Sequence, residues 1–265
     1  TFGNRIVRNN LSGILVYEAN GIVIKNFNIH EEAESGTSNR AIKFWNVIGG
    51  AIQDNQCEMF SRLGHCIHLI SSQNIDINRN KAKTSGREGY SIFLQSASSS
   101  NTIEFNDLET RGERANALDI SFSSRNDLKF NTLKTSGNYA HGTLLLQSDA
   151  NKFDHHETLT SGENAFGIAL SSSSEDNIFF DSFIRSDLSE EVYFSQTSSG
   201  ETIFTNVNLY DEGIEFVEGS TATLTRNWYT DTRVGDSNNN PMSNILVEGY
   251  RMSGGNALQT PLFSG

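Results

Sequence analysis

Three titratable residues are separated by near multiples of one interval. The step from Lys43 to His68 is one interval, and the step from His68 to Asp119 is nearly two. If each interval returns the chain to the same face, these side chains stand in one column. A lyase or epimerase acting on uronate sugars needs a base near the C5 proton and a cation to neutralise the sugar carboxylate. Lys43 or His68 would be that base and Asp119 would help to hold the cation; the alternative is a surface face with scattered polar residues.

Aromatic and basic residues at the same spacing suggest contact with carbohydrate. Because side chains alternate between the two faces of a strand, two outward columns are predicted: Lys43, His68, Phe93, Asp119, Leu145, Ala169 and Tyr193, and Trp45, Ile70, Gln95, Ser121, Gln147, Ser171 and Ser195. The sugar-contacting candidates in these columns are Trp45, Phe93 and Tyr193. The turn segments add Arg111, Arg114, Tyr139 and His141, whose alternative role is that of solvated loop tips.

The segment FDHHE, residues 153–157, offers groups that ligate metals. Neighbouring residues of a strand point to opposite faces. We therefore expect His155 to pack inward, in the place that Phe105, Phe130 and Phe180 hold in other copies. His156 would then take the place of a column asparagine. This structural interpretation is favoured, and no metal site is predicted.

The elements that must position these residues are copies of one unit of about 25 residues, an interval in the range of solenoid repeats. The segments NTLKTSGNYAHGTLLLQS (131–148) and HETLTSGENAFGIALSSS (156–173) are near copies. Each copy alternates apolar and polar residues over four to six positions, which is the strand period. We therefore predict an all-β fold, a parallel β-helix of about eight coils over residues 1–225, with coils ~4.8 Å apart.

The same interval predicts columns inside this fold. One is a buried apolar stack of Ile103, Leu128, Phe153, Ile178 and Ile203. A second column contains Asn106, Asn131, His156, Asp181 and Asn206. Serine-rich turns end in Asn101, Asn126, Asn151 and Asn177. Asparagine favours turns and forms hydrogen-bonded ladders in stacked strands, so we expect these side chains to bond along the rod.

Charge and composition exclude several partners. The net charge of −12 argues against nucleic acid and against docking on anionic lipid. It also disfavours acidic polysaccharide unless a local basic patch or bound cations intervene. No apolar run approaches the ~18 residues of a membrane span. Cys57 and Cys66 lie within one coil and form either a disulfide or two buried thiols. Thr1 enters in the middle of the pattern, so we expect a piece of a longer chain.

The recurring Asn-x-Ile-x-x-Asn segments with serine-asparagine turns resemble the right-handed parallel β-helix repeats of the pectate-lyase-like superfamily. The nearer resemblance is to NosD-like and other surface proteins that are rich in such repeats, and it covers residues 1–225. It implies a right-handed coil and an extracellular or cell-surface location. Lyases, epimerases, hydrolases, phage spikes and non-catalytic surface proteins share this fold, so function must be argued from the site.

Residues 226–265 resemble part of an Ig-like or carboxypeptidase-regulatory-like module. Two strands, WYTDTRV and NILVEGYRM, would be joined by a turn around Pro241. A lone hairpin is marginal in water and its open edges favour pairing with another chain. We therefore predict that this segment packs against another copy. The residues expected at that contact are Trp228, Val234, Leu246 and Tyr250.

The leading hypothesis is a non-catalytic extracellular module of a cell-surface or filament protein, with a structural or adhesive role and contact with carbohydrate. The alternative is a polysaccharide lyase or C5-epimerase acting on uronate chains. We expect no cofactor under the first hypothesis and Ca²⁺ under the second. The expected partners are other copies of the chain, neighbouring surface-protein domains and polysaccharide, without nucleic acid or a membrane span.

Overall fold

The computed structural model describes residues 4–8, 13–31, 38–211, 213–229, 248–253 and 256–264. The chain divides into two compact units, Thr1–Trp228 and Tyr229–Gly265, which are treated separately. No helix in the described part of the chain is long and apolar enough to cross a membrane. In chain order the strands are β1 (Asn4–Arg8), β2 (Ile14–Tyr17), β3 (Asn20–Lys25), β4 (Phe27–Glu31), β5 (Arg40–Trp45), β6 (Ile48–Gln53), β7 (Gln56–Met59), β8 (His65–Ile70), β9 (Gln73–Asn78), β10 (Lys81–Thr84), β11 (Ile92–Gln95), β12 (Thr102–Glu104), β13 (Asp107–Thr110), β14 (Leu118–Ser121), β15 (Asp127–Lys129), β16 (Thr132–Thr135), β17 (Thr143–Leu146), β18 (Lys152–Asp154), β19 (Glu157–Thr160), β20 (Ile168–Ser171), β21 (Asn177–Phe180), β22 (Phe183–Ser186), β23 (Val192–Phe194), β24 (Glu201–Thr205), β25 (Asn208–Leu209), β26 (Ile214–Phe216), β27 (Thr223–Asn227), β28 (Glu248–Ser253) and β29 (Asn256–Ser264).

The first unit is a right-handed parallel β-helix of about eight coils. Each coil contributes one strand to each of three parallel sheets. Sheet A contains β1, β4, β7, β10, β13, β16, β19, β22 and β25; sheet B contains β2, β5, β8, β11, β14, β17, β20, β23 and β26; sheet C contains β3, β6, β9, β12, β15, β18, β21, β24 and β27. The strands therefore pair only with the coils before and after their own, and the predicted repeat of about 25 residues is confirmed.

The predicted apolar stack is correct for three coils and wrong for the next two. The first three predicted members are buried in one inward stack: Ile103, Leu128 and Phe153. Ile178 and Ile203 are only half-buried, because Phe179 and Phe204 take the inward positions in register with Phe153. Strand pairing shows that the turn at residues 172–177 is one residue longer than the turn at 147–151. That extra residue moves the inward positions of β21 and β24 by one.

The same kind of shift corrects the outward columns of sheet B. Leu144 stands in the column of Asp119, and Leu145 is fully buried on the inward face. Leu146 stands in the column of Ser121, so Gln147 lies beyond the end of its strand. The predicted partner of Asp119 in the next coil, Leu145, is therefore wrong by one residue, and the partner is Leu144.

One residue with positive φ forms the turn between sheets C and A in each coil. These residues are Asn26, Asp54, Arg79, Phe105, Phe130, His155, Asp181 and Asn206. The left-handed turn interrupts strand alternation and directs these side chains outward. The prediction that His155 packs inward is therefore wrong: its side chain is half exposed, whereas His156 is buried. The predicted column of Asn106, Asn131, His156, Asp181 and Asn206 combines two structural positions. The first three are inward residues, whereas Asp181 and Asn206 are turn residues, and Ser182 takes the inward position after His156.

Buried asparagine side chains form ladders along the rod, as predicted. The Oδ1 atom of Asn126 accepts hydrogen bonds from the backbone N and from Nδ2 of Asn101, at 3.0 and 3.1 Å. Nδ2 of Asn126 donates to Asn151 at 3.0 Å. The ladder continues to Asn177, and a second ladder contains Asn55, Asn80, Asn106 and Asn131. These bonds satisfy amides that the strand ladders leave unpaired at the turns.

The repeated Thr-Ser-Gly segments are explained by close approach of successive coils. A Cβ atom on Gly137 would collide with the carbonyl oxygen of Gly112, and one on Gly162 would collide with that of Gly137. Only glycine fits this position in these coils. The threonine two residues earlier is also structural, since Oγ1 of Thr135 donates to the Ala140 carbonyl at 2.6 Å.

Cys57 and Cys66 form a disulfide across a short loop, which settles the alternative between a disulfide and two thiols. Closing a loop with a disulfide stabilises a fold by about 2–4 kcal/mol. Replacing both cysteines by alanine should therefore lower the unfolding free energy by about that amount. The measurement is urea unfolding of both proteins with and without a reductant. Equal midpoints for wild type and variant under oxidising conditions would contradict it.

The second unit contains an antiparallel pair, β28 with β29. β28 overlaps the predicted strand NILVEGYRM, but its partner is Asn256–Ser264 and not the predicted strand WYTDTRV. Most of WYTDTRV, the turn around Pro241, and the assembly candidates Val234 and Leu246 lie outside the described residues. Trp228 is exposed, and Tyr250 lies in β28 opposite Pro261. Assembly and the Ig-like character of this segment stay predictions.

Candidate functional site

The outer face of sheet B brings the three predicted catalytic residues into one column. Lys43 pairs in register with His68, which pairs with Phe93, which pairs with Asp119. Lys43 and His68 are therefore one coil apart, ~4.8 Å, and His68 and Asp119 are two coils apart. Phe93 lies between them and stacks on the His68 ring with ring centres 4.7 Å apart.

His68 is held neutral, with both ring nitrogens engaged. Arg40 Nε donates to its Nδ1 at 3.0 Å. Because arginine is always a donor, the proton of the neutral ring sits on Nε2, which donates to Gln95 Oε1 at 3.1 Å. Burial, reinforced by the charge of Arg40, lowers the pKa of His68 to about 3. The lone pair that a general base needs is thus occupied by the guanidinium.

Asp119 is enclosed by its neighbours. Its two carboxylate oxygens accept hydrogen bonds from Ser121 Oγ at 2.6 Å and Asn116 Nδ2 at 3.0 Å. The side chain is buried, and this burial raises the pKa of Asp119 to about 6 despite the two hydrogen bonds. In this arrangement the carboxylate has no open path to a cation in solvent.

Lys43 lies beside exposed aromatic rings at the N-terminal end of sheet B. Its Nζ stands 4.8 Å from the centre of the Trp45 ring, and Tyr17 packs edge-on against Trp45 at 5.2 Å. Tyr17 and Trp45 are 51% and 40% exposed. Partial burial and the nearby Arg40 charge lower the pKa of Lys43. We call Tyr17, Arg40, Lys43 and Trp45 the basic aromatic patch.

Arg40 and Tyr17 are members of this patch that were not predicted from the sequence, and Arg40 makes the more extensive contacts. Its Nη1 donates to the carbonyl oxygens of Asn39 and Leu63. No carboxylate of the described residues forms an ion pair with Arg40 or Lys43. Burial lowers the pKa of Arg40 to about 10. In strand register Arg40 lies opposite His65, but its side chain contacts His68, three residues further along the next coil. The repeat interval therefore could not reveal the contact.

The other predicted carbohydrate contacts fall into separate groups. Phe93 belongs to a ring cluster with His68, His65 and Tyr90. Tyr193 stacks on Phe166 at 4.3 Å, and Phe166 stacks on His141 at 5.3 Å.

The loop residues are exposed and make local contacts. Arg114 lies over the ring of Tyr139 at 5.7 Å, and Arg111 pairs with Glu109 at 2.6 Å. His141 does not belong with these loop tips, because its Nδ1 accepts from the Phe166 backbone and burial lowers its pKa to about 4. Whether these residues contact sugar stays a prediction.

A cleft on the outer face of sheet A also escaped the sequence analysis. Its volume is about 460 Å³, and its lining includes Lys134, Leu159 and Arg185. Arg185 is neutralised by Asp187 at 2.7 Å and lies over the ring of Tyr210 at 4.6 Å. The repeat interval, which places Leu159 one coil after Lys134, was the available signal.

A third group of chemically capable residues lies at the turn between sheets C and A. Asp154, His155 and Asp181 each place one ligand atom within 4.8 Å of the others. His155 Nδ1 is 2.7 Å from Asp154 Oδ1. Residues 154 and 155 belong to the segment for which only a structural role was predicted.

The chain is similar to several solved structures, and the first of them has a TM-score that supports the fold. A DFA-IIIase from Arthrobacter chlorophenolicus A6 superposes with a TM-score of 0.50 at 15% identity, covering 74% of this chain and 49% of that one. The A-module of the Azotobacter vinelandii mannuronan C-5 epimerase AlgE6 gives 0.46 at 10% identity, covering 80% and 65%. Tailspike protein 3 of bacteriophage CBA120 gives 0.36 at 11% identity, covering 90% and 54%. The chain spans about half the length of the DFA-IIIase, and at these identities the likeness concerns the fold alone.

Sequence comparison identifies the family. No curated protein matches the chain. The family model described as periplasmic copper-binding protein (NosD) matches residues 38–257, which is more than half of the chain. The matched region contains the coils that carry the asparagine ladders, most of sheet B and the disulfide. The chain therefore belongs to the NosD family of periplasmic copper-binding proteins.

Proposed function

We propose that this chain is a non-catalytic β-helix module, working outside the cytoplasm, that binds acidic polysaccharide at the basic aromatic patch. The observation that carries the proposal is that two cations, Arg40 and Lys43, lie beside two exposed rings, Tyr17 and Trp45, on one sheet face. In a chain with a net charge of −12, Arg40 and Lys43 have no carboxylate partner among the described residues. This is the local basic patch without which the overall charge would disfavour such a ligand.

The half-buried guanidinium of Arg40 supports an anionic ligand. Removing a charge from water is costly unless a counter-charge or hydrogen bonds replace the water. Two carbonyl oxygens and the neutral His68 ring accept from Arg40, but none of them carries a negative charge. A sugar carboxylate would supply that charge, and hydrogen bonds between charged groups are about twice as strong as neutral ones.

The exposed rings support a sugar rather than a small anion. Aromatic side chains offer an apolar face together with a polar edge, which suits a sugar ring with its C–H and O–H groups. Trp45 and Tyr17 stand one coil apart in register. A linear polymer that runs from coil to coil along this face would meet both rings, with Lys43 beside Trp45 on the same strand.

A binding role fits this face better than catalysis. Both nitrogens of His68 are engaged, and the Asp119 carboxylate is enclosed by Asn116 and Ser121. The candidate base His68 and the candidate cation holder Asp119 are therefore already occupied within the protein, which leaves Lys43 as the one candidate still available to a ligand. The family description as periplasmic and the disulfide support an oxidising compartment.

The proposal predicts the behaviour of three variants in affinity measurements on alginate, pectate and a neutral glucan. Lys43→Ala should weaken binding to alginate or pectate by about tenfold, because a charged hydrogen bond contributes ~1.5–3 kcal/mol and ~1.4 kcal/mol is tenfold. Trp45→Ala should weaken binding by about the same factor, because covering about 60 Å² of its apolar surface with a sugar ring contributes ~1.5 kcal/mol. Lys134→Ala, an exposed lysine on sheet A, is the matched control and should bind like wild type.

Ionic strength provides a second check. Salt screens exposed charge pairs, so binding to the uronans should weaken as salt rises. Equal retention of wild type on the neutral glucan and on both uronans would contradict the proposal. So would unchanged affinity in both the Lys43 and Trp45 variants.

A further inference from the structure

We infer that Asp154, His155 and Asp181 form a Cu²⁺ site on the outside of the β-helix, at the turn between sheets C and A. One imidazole nitrogen and one oxygen from each of two carboxylates lie within 4.8 Å of one another. This site is separate from the basic aromatic patch, which lies on sheet B.

The fold explains why these three side chains converge. Asp154 is the last residue of β18, and His155 is the left-handed turn residue that follows it, with φ of 53°. Asp181, with φ of 42°, occupies the same turn position in the next coil, and coils are ~4.8 Å apart. The turn directs both side chains away from the core.

Neighbouring groups orient the ligands. Asn206, at the turn position of the following coil, donates from Nδ2 to Asp181 Oδ1 at 2.6 Å. On the other side, the His155 ring lies over Phe130 with ring centres 4.9 Å apart. Outer contacts of this kind fix the geometry of metal ligands. The His155 and Asp154 side chains keep about 50% and 24% of their surface exposed, so an ion has access from solvent.

The donor chemistry fits Cu²⁺ and does not fit Cu⁺. Imidazole and carboxylate ligands suit divalent ions, and among the first-row ions Cu²⁺ binds such sites most tightly, whereas Cu⁺ prefers thiolate and thioether ligands. Among the side chains that the structure describes, Cys57 and Cys66 are consumed in the disulfide and Met59 is buried. The family description as copper-binding names the metal, and the geometry assigns it to these residues in its oxidised state.

The structure supplies two conservative variants, because neighbouring coils hold other residues at the same turn position. His155→Phe reproduces Phe130, and Asp181→Asn reproduces Asn206. Both should therefore keep the fold. His30→Phe is the control, because His30 is another partly exposed histidine beside a carboxylate, 3.0 Å from Glu58.

The test is titration of the untagged protein with Cu²⁺, followed by electron paramagnetic resonance. Wild type and His30→Phe should bind one equivalent with the hyperfine pattern of one imidazole nitrogen. His155→Phe should bind at least tenfold more weakly and lose that pattern, and Asp181→Asn should also bind more weakly. Wild-type affinity in His155→Phe, or no binding by wild type, would overturn the assignment. Tighter capture of Cu⁺ from a competing chelator by wild type than by His155→Phe would overturn the choice of oxidation state.

Discussion

Acidification from pH 7 to pH 4 is expected to unfold the β-helix, because it contains buried neutral histidines. Burial lowers the pKa of His68 to about 3 and of His156 to about 4, against an ordinary value of 6.5. Burial also lowers the pKa of His141 to about 4 and the pKa of His65 well below 6.5. The unfolded chain therefore binds protons that the folded chain does not. The stability from these groups is present above pH 6.5 and is lost as the pH falls toward the folded-state values.

Asp119 acts in the opposite direction. Its folded-state pKa of about 6 is above the ordinary value of 3.8, so its contribution is present below pH 3.8 and is lost as the pH rises through 6. Between pH 6 and pH 4 the unfolded chain binds up to four more protons than the folded chain at the histidines and one fewer at Asp119. The net difference of up to about three protons makes the unfolding free energy fall by ~4 kcal/mol per pH unit of acidification. Over these two pH units that slope removes about 8 kcal/mol, which is comparable with the typical stability of ~5–15 kcal/mol.

The measurement is the thermal unfolding midpoint as a function of pH. His156→Asn tests the cause, because asparagine is the residue at the same inward position in the preceding coils, at Asn106 and Asn131. This variant should reduce the change of the unfolding free energy with pH by the contribution of one proton, ~1.4 kcal/mol per pH unit. A midpoint that stays constant between pH 7 and pH 4 would contradict the prediction.

Replacing Asn126 by alanine should lower the unfolding free energy by about 1–3 kcal/mol for each buried polar group that loses its partner. The change removes the oxygen that accepts from two donors of Asn101 and the amide that donates to Asn151. The buried backbone N of Asn101 is therefore left unpaired, whereas Asn101 Nδ2 keeps the Ser72 carbonyl and Asn151 Oδ1 keeps the backbone N of residue 126. Asn28→Ala is the control, because Asn28 is an exposed asparagine in a strand; surface changes of this kind stay within ~0.5 kcal/mol.

Equilibrium unfolding in urea, followed by circular dichroism, compares the two variants. A stacked repeat protein can unfold in segments, so the expected sign of an Asn126 defect is an earlier or broader transition. Coincident curves for Asn126→Ala, Asn28→Ala and wild type would show that the ladder contributes little.

The sequence predicted the coils because the repeat interval is the interval between hydrogen-bonded strands. It therefore placed Lys43, His68, Phe93 and Asp119 correctly in one column. It failed where the interval changes, as at the longer turn before Phe179. Spacing shows that an extra residue exists somewhere, but not which neighbour packs inward.

The position of His155 could not be predicted for a different reason. A phenylalanine with positive φ is rare, so Phe105 and Phe130 are expected from the sequence to be strand residues that point to the core. In the structure they are 54% and 45% exposed. The asparagine that follows packs inward instead, because its amide completes the ladder.

The candidate site was only partly predictable. The column of sheet B followed from the repeat, but the roles of its members depend on contacts from outside it. Arg40 engages His68, and Asn116 and Ser121 enclose Asp119. These contacts engage His68 and Asp119 within the protein. Among the described residues, Arg40 and Lys43 are the cations of this face that have no carboxylate partner.

The central claim, that the sheet B face binds acidic polysaccharide without turning it over, is tested most directly by proton NMR of a uronate oligosaccharide titrated with the protein. We expect that the sugar signals broaden, that saturating the aromatic protons of the protein transfers magnetisation to the sugar, and that no new sugar signals appear over time. Sharp, unchanged sugar signals at all protein concentrations would contradict binding. New signals from an unsaturated or C5-inverted sugar would contradict the non-catalytic role.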